Sequence, residues 1–305
     1  MRWRGNRQSS NIEDRRGMRA AGTGGFGRGG GILRLLPVAI RFLGVKGTLV
    51  VAVLVIGYGL FTGNLTQILG GGSFQDQQIA QSKQPVKQSE QERELVEFMS
   101  VILADTEDTW HALFNEIGGK YREPRLVLFR QSVKSDCGFG SSQMGPFYCP
   151  VDQKVYIDLS FFEDLKKRYN APGDFAQAYV VAHEIGHHVQ TLTGISGKVR
   201  EAKKGLTQVK ANQLSVRQEL QADCFAGIWA HHADRSRQVL EAGDIVEGLT
   251  AASAIGDDRL QKQSQGHVTP DSFTHGSSKQ RVQWFQIGLD KGTLKACDTF
   301  SVKTL

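Results

Sequence analysis

A run of 19 uncharged residues, from Gly47 to Leu65, divides this chain of 305 residues more sharply than any other feature. An α-helix rises about 1.5 Å per residue, so such a run is just long enough to cross the roughly 30 Å hydrocarbon core of a membrane. The run therefore predicts one transmembrane helix. A cleaved signal peptide is the alternative, but its basic leader is normally short, and here 46 residues precede the run.

The positive charge of the chain lies before this run. Met1–Lys46 holds ten Lys and Arg against two acidic residues, out of 37 and 31 in the whole chain, so the remainder is slightly acidic. The main part of the chain therefore gives no reason to expect a nucleic-acid partner, although an Arg-Gly segment that binds RNA is an alternative for the tail. The positive-inside rule predicts a cytoplasmic tail and an extracytoplasmic main domain.

Composition and periodicity predict four segments. These are a disordered basic cytoplasmic tail (1–46), a transmembrane helix (47–65), a polar linker rich in Gly and Gln (66–88) and a globular domain (89–305). Most of the domain has helical periodicity, while Arg125–Arg130 and Val155–Leu159 read as strands of a small antiparallel sheet. The fold class expected is therefore α+β and mostly helical, preceded by one transmembrane helix.

Four cysteines in a domain expected outside the cytoplasm predict disulfides. Cys137 and Cys149 bracket a Gly-rich loop and form one expected pair, which leaves Cys224 with Cys297. Four cysteines allow three connectivities, and the sequence does not choose among them. No C-x-x-C occurs, so a cysteine zinc site is not supported.

A metal-binding motif, His183-Glu184-Ile185-Gly186-His187, lies on a helix predicted from Asp174 to Leu192. Residues four apart differ by about 40° around a helix, so both imidazoles project from one face and can hold one Zn²⁺. Glu184 lies about 100° round from His183, off the metal but close enough to act as a general base on water. Satisfied core or surface histidines are the alternative interpretation.

A second predicted helix offers Glu219 and Asp223, which are also four residues apart. Peptidase zinc usually takes three protein ligands, so Glu219 is the expected third ligand. Asp223 is expected to hydrogen bond a metal-binding histidine and fix its tautomer, unless both carboxylates simply belong to a solvated helix face. His188, His231 and His232 are not expected to bind the metal. The alternative is that the third ligand comes from the group of His231, His232 and the nearby Asp234.

At these residues the chain resembles the neutral zinc metallopeptidases of bacteria, a family of membrane-anchored proteins. The resemblance lies in MRWRGNRQSSNIEDRRG (1–17), CGFGSSQMGPFYCPVDQKVYIDLSFF (137–162), HEIGHHVQ (183–190), ELQADCFAG (219–227) and FTHGSSKQRVQWF (273–285). It implies a zincin-like peptidase of the gluzincin type with one zinc ion, located at the bacterial inner membrane.

A more distant resemblance is to membrane peptidases of the heat-shock and prenyl-protein-processing kind. These also follow HExxH with ExxxD, and then carry Thr-His with an Arg six residues on, as do Thr274-His275 and Arg281 here. The resemblance implies that His275 and Arg281 lie near the zinc and stabilise the oxyanion. A helix cap by His275 and a surface ion pair by Arg281 are the alternatives.

The expected function is hydrolysis of peptide bonds in extracytoplasmic proteins, with Glu184 as the base. Strand Val155–Leu159 could pair with an extended peptide substrate if it forms a sheet edge, but could equally be interior. Two rivals stay open: a zinc-binding envelope adaptor without activity, and a membrane-tethered scaffold without metal. Zinc content and the effect of Glu184→Gln distinguish the three.

Overall fold

A computed structural model describes residues 1–18 and 88–305 of the chain. The strands are β1 (Ile12–Asp14), β2 (Arg125–Phe129), β3 (Ser132–Ser135), β4 (Gly138–Ser141), β5 (Phe147–Cys149) and β6 (Lys154–Asp158). The α-helices are α1 (Glu90–Glu116), α2 (Ser160–Lys167), α3 (Asp174–Leu192), α4 (Ile195–Ala202), α5 (Gln208–Arg237), α6 (Asp244–Ala254), α7 (Asp257–Gln265) and α8 (Ser278–Lys291). Short 3₁₀ turns cover Ser142–Met144, Pro270–Ser272 and Leu294–Cys297.

The main sheet has the strand order β1-β2-β6-β5. β2 pairs in parallel with both β1 and β6, and only β5 is antiparallel to its neighbour β6. β2 and β6 are apolar and almost wholly buried, as expected for strands covered on both faces. The separate β3-β4 hairpin is antiparallel.

The fold is α+β and mostly helical, but the predicted fold class was wrong in two respects. The sheet is mixed rather than antiparallel, because the β3-β4 hairpin and β5 return the chain to the end of the sheet where β2 began. The transmembrane helix is not supported, since no helix among the described residues is long and apolar enough to cross a bilayer. The span expected at Gly47–Leu65 itself lies outside the described residues.

The first residues of the chain belong to the same compact unit as residues 88–305. β1 extends the main sheet through Ile12, opposite Leu126, and Trp3 is buried against Phe98 of α1. The prediction of a disordered tail therefore does not describe this segment.

Helix α3 is the centre of the helical layer and contacts α1, α5 and α6 as well as β5. Its crossing with α5 is close at Gly186, where an added Cβ would lie 2.9 Å from the Ala222 carbonyl oxygen. A glycine inside the motif thus lets the two helices approach closely. The approach places the inner face of α5, with Glu219 and Asp223, against the histidine face of α3.

Candidate metal centre

Three side chains from two helices converge at the bottom of a cleft. His183 and His187 project from α3, and the Glu219 carboxylate reaches them from α5. The ligand atoms all lie within 4.8 Å of one another, and Glu219 Oε2 is 3.3 Å from Nε2 of each histidine. Sequence spacing predicted these three residues as the metal ligands.

The spacing of these atoms suits a zinc ion. Two ligands held at 2.0 to 2.1 Å in a tetrahedral arrangement lie about 3.3 to 3.4 Å apart. Both distances from Glu219 Oε2 match that separation, and both are longer than a charge-assisted hydrogen bond, which is about 2.7 to 2.9 Å. The three residues therefore fit the group that their types suggest.

His183 is held by a network of charged side chains and one tyrosine hydroxyl. Its Nδ1 lies 2.8 Å from Asp223 Oδ1, which fixes the tautomer so that Nε2 presents its lone pair to the cleft. Arg281 donates two 2.8 Å hydrogen bonds to the two oxygens of Asp223, and Tyr179 donates a third bond of 2.5 Å. Asp223, Arg281 and Tyr179 are all buried.

The charges of this network favour a cation at the histidine. Burial alone would raise the pKa of Asp223, but the Arg281 and His183 charges outweigh it and lower that pKa to about 2. Burial likewise disfavours protonated His183, yet the charge and hydrogen bond of Asp223 raise its pKa to about 10. An environment that draws a proton to the ring also favours a divalent ion at Nε2.

His187 is held by neutral groups instead. Its Nδ1 lies 3.0 Å from Oε1 of Gln190, a buried residue one turn later on α3. The Gln190 amide donates to the Gln218 carbonyl at 2.7 Å and to the Gln221 side chain at 3.1 Å. Sequence reasoning missed Gln190, although its spacing of three from His187 on a helix was a usable signal.

The Glu184 carboxylate lies beside the ligands and has no hydrogen-bond partner among the described residues. Its side chain is buried and lines the cleft together with His183 and His187. Among the described residues, none hydrogen bonds its carboxylate, so both oxygens can receive a proton from a molecule in the cleft. This is the position expected for a general base.

His275 also lines the cleft, from the loop before α8. Its Nδ1 faces Asp257 Oδ1 at 3.3 Å, and its backbone N–H donates to Asp257 Oδ2 at 2.6 Å. Asp257 accepts from the backbone N–H groups of Thr274 and Gly276 as well, so one carboxylate holds the whole loop. No sequence pattern pointed to Asp257, because its contact with this loop is tertiary.

Arg281 lines the cleft beside the proposed ligands and is held by other groups of the protein. The resemblance implied that Arg281 lies near the zinc and stabilises the oxyanion, and the alternative was a surface ion pair. Arg281 is 2% exposed, and its guanidinium is committed to Asp223, the Tyr179 hydroxyl and the Ile255 carbonyl. Arg281 therefore influences the proposed ligand His183 through Asp223, which it holds by hydrogen bonds.

The remaining histidines lie outside the ligand group. His188 is buried against the Arg122 carbonyl at 2.6 Å and the Tyr148 hydroxyl at 3.1 Å. His231 and His232 bond backbone carbonyls of Leu289 and Gly292. The third-ligand alternative at Asp234 is therefore not supported by the packing.

Both disulfides link segments beside the site. Cys137 pairs with Cys149, the last residue of β5, and Cys224 pairs with Cys297. The second bridge adjoins the support of His187, because the Cys297 carbonyl accepts from the Gln221 side chain at 3.0 Å. No cysteine is free.

A second acidic group, Asp174 with Asp244 and Glu247, also has metal-like spacing. The terminal ammonium of Met1 lies 2.9 Å from Asp174 and 3.4 Å from Asp244. Asp174 and Asp244 are therefore already in contact with an ammonium group of the chain.

The cleft above the ligands has a volume of about 870 Å³. A helical HExxH pair completed by a glutamate from a second helix is the ligand set of a zinc peptidase. The chain belongs to the family described as "Putative neutral zinc metallopeptidase", whose model matches residues 1–300. The family name supports a hydrolase that uses zinc and acts on peptides.

Similar proteins have no assigned activity. The chain is 50% identical over 300 residues to uncharacterized protein YpfJ of Escherichia coli K12, which covers 98% of this chain and 99% of that protein. It is 41% identical over 218 residues to uncharacterized protein Rv2575 of Mycobacterium tuberculosis H37Rv, covering 68% and 73% of the two chains. No solved structure matches the chain significantly.

Proposed function

We propose that the protein is a zinc-dependent endopeptidase in which His183, His187 and Glu219 hold one metal ion. The observation that carries the proposal is the convergence of these three ligand atoms in a cleft, beside a Glu184 carboxylate that no other described residue hydrogen bonds. Zinc bound there supplies a Lewis acid, which lowers the pKa of water toward about 7 and polarises a peptide carbonyl.

The side chains around the ligands divide the remaining chemistry. Glu184 takes a proton from the attacking water and delivers it to the leaving amine. His275, with Nδ1 directed at Asp257, presents Nε2 to the cleft and donates to the oxyanion that develops on the carbonyl. Arg281 is a positioning residue, because it holds Asp223 against His183.

Strand β5 is positioned to bind an extended substrate. It is an edge strand, and within the described part of the chain no strand pairs with its outer side. Pro146, Phe147 and Tyr148 line the cleft that holds the ligands. Main-chain pairing along β5 would tolerate many substrate sequences. Val155–Leu159, considered for this role from sequence, forms β6 between β2 and β5 and is therefore interior.

The two disulfides support action outside the cytoplasm. Structural disulfides form and persist in oxidising compartments, and all four cysteines are paired here. The proposed substrates are accordingly peptides or proteins of such a compartment, with no nucleic-acid partner.

Zinc content and casein hydrolysis of the full chain test the proposal. We expect close to one zinc per chain by elemental analysis, and cleavage by the wild type. Glu184→Gln removes the base but no ligand, so we expect retained zinc and a loss of kcat/KM of about 10²- to 10⁴-fold. Glu116→Gln, at an exposed position at the end of α1, is the matched control and should retain full activity.

The outcomes separate the competing functions. Zinc with no cleavage by the wild type would favour the adaptor over the peptidase. A chain that purifies without zinc and binds none on titration would overturn the metal centre. Equal activity of wild type and Glu184→Gln would reject Glu184 as the base.

A further inference from the structure

The cleft differs in charge on the two sides of the metal ligands. Toward the beginning of α3 it is lined by Met144 and by aromatic rings of Phe161 and Tyr169. Toward the end of α3 it is lined by Arg200, on α4, and by Lys203, the residue just after α4. One end is thus aromatic and the other cationic.

Lys203 is held at a defined position in the cationic end. It is half-buried, and its Nζ donates a 2.8 Å hydrogen bond to Ser215 Oγ. Ser215 lies on α5 one turn before Glu219, so the ammonium group is fixed about one helical turn from the ligands. The neighbouring lining residues Ser196 and Gln218 are neutral.

Neither cation is neutralised by a carboxylate of residues 1–18 or 88–305. Within the residues that the structure describes, no carboxylate lies within ion-pair distance of Arg200 or Lys203, whereas the adjacent Lys204 pairs with Glu201 at 2.8 Å. The acid lining the cleft nearest to Lys203 is Glu219, whose charge the proposed zinc would use. A substrate entering this end therefore meets uncompensated positive charge.

The aromatic end provides the contrast. Arg168 lines the cleft there, but Asp164 lines it too, and the Arg168 guanidinium lies 5.5 Å from the centroid of the Tyr169 ring. The cation at that end is accompanied by an acid and a ring.

We propose that Arg200 and Lys203 form a subsite for a carboxylate of the substrate, placed on the α4 side of the cleaved bond. The inference rests on the proposed function, because it names the substrate class of the same cleft. A guanidinium binds a carboxylate through two parallel hydrogen bonds, and an ammonium adds a point charge. The carboxylate is either an acidic side chain or the free end of a peptide.

Peptide pairs distinguish the two sources. One set carries an amidated C-terminus and a single Glu or Gln scanned through every position of an otherwise neutral sequence. A second set keeps Gln and compares free with amidated C-termini at each length. We expect at least one Glu or free-carboxylate peptide to show kcat/KM raised by about tenfold over its neutral partner. This preference should fall at high salt, because ionic screening weakens it.

Matched variants test the two residues. Lys203→Met and Arg200→Gln should each reduce the acidic-to-neutral ratio of kcat/KM by several-fold, while Lys204→Met, which removes an exposed lysine paired outside the cleft, should not change it. Preference for Glu alone would identify an acidic side chain, and preference for a free end alone would identify a chain terminus. Equal kcat/KM for every acidic and neutral pair would overturn the subsite.

Binding to zinc-loaded Glu184→Gln separates this inference from the proposed function. Fluorescence anisotropy of labelled Glu and Gln peptides needs no turnover, so it reports the subsite even if no peptide is cleaved. Tighter binding of acidic peptides that is lost in Lys203→Met supports the subsite, whether or not the wild type is a peptidase. Equal binding of both peptides rejects it even if casein is hydrolysed.

Discussion

The two metal-binding histidines lie one turn apart on α3 but are supported in different ways. His183 is fixed by the Asp223 carboxylate, itself held by a buried guanidinium, whereas His187 is fixed by the neutral amide of Gln190. A carboxylate partner orients the ring and raises its basicity, while an amide only orients it. The two rings therefore differ in the charge of the group that holds Nδ1, which is a carboxylate at His183 and a neutral amide at His187.

The two arrangements also differ in the free energy that is lost when one partner is removed. A buried carboxylate and guanidinium must compensate each other, and loss of either leaves an isolated charge in the core. The amide chain from Gln190 through Gln221 to the Cys297 carbonyl contains no charge. We therefore expect the His183 side to be important for stability as well as for metal binding, and the His187 side mainly for geometry.

The largest effect should come from Arg281→Ala. This change leaves Asp223, which is fully buried, without its cation, and we expect the free energy of unfolding to fall by about 3 to 5 kcal/mol. Urea unfolding of the full chain measures it. Lys279→Ala, at an exposed position on the same helix, should cost less than about 0.5 kcal/mol. A stable Arg281→Ala protein that has lost only activity would instead indicate direct contact with the substrate.

A smaller effect is expected for Asp223→Asn. The amide keeps the shape of the carboxylate and an acceptor for His183 Nδ1 but removes its charge, so zinc affinity should fall by about 10- to 100-fold. Competition with a chromophoric chelator gives the dissociation constant, and Asp271→Asn at an exposed position serves as control. Unchanged affinity would show that the charge on the His183 side contributes nothing to metal binding.

The smallest effect is expected for Gln190→Ala. His187 loses an orienting acceptor but no charge, so zinc affinity should fall by less than about tenfold in the same chelator assay. Direct comparison with Asp223→Asn decides the point. If both substitutions lower zinc affinity equally, the partners of His183 and His187 act by orienting the rings and not by their charge. The two histidines would then not differ in the way proposed.

Local sequence patterns predicted the parts of the site that a single helix determines. The helix Asp174–Leu192 has the predicted bounds. Glu219 and Asp223 share a face because spacing of four residues on a helix requires it. These features depend on neighbours within one or two turns, which is the range that periodicity reports.

Contacts between distant segments were not predictable in the same way. The parallel pairing of β2 with β6 depends on how the intervening strands return the chain, and no residue pattern encodes that path. Asp257 holds the His275 loop through backbone N–H groups, which any sequence possesses. Arg281 was found by resemblance, but only its partners show that it is hydrogen bonded to Asp223.

The pairing of β1 with β2 affects how the chain must be made. Residues 12–14 leave the ribosome long before Arg125–Phe129 exists, so the first strand synthesised waits unpaired for its partner. During that interval Trp3 is exposed to solvent, and any loss of β1 would leave the apolar β2 as an open edge prone to intermolecular pairing. Production of folded protein should therefore depend on an intact first segment.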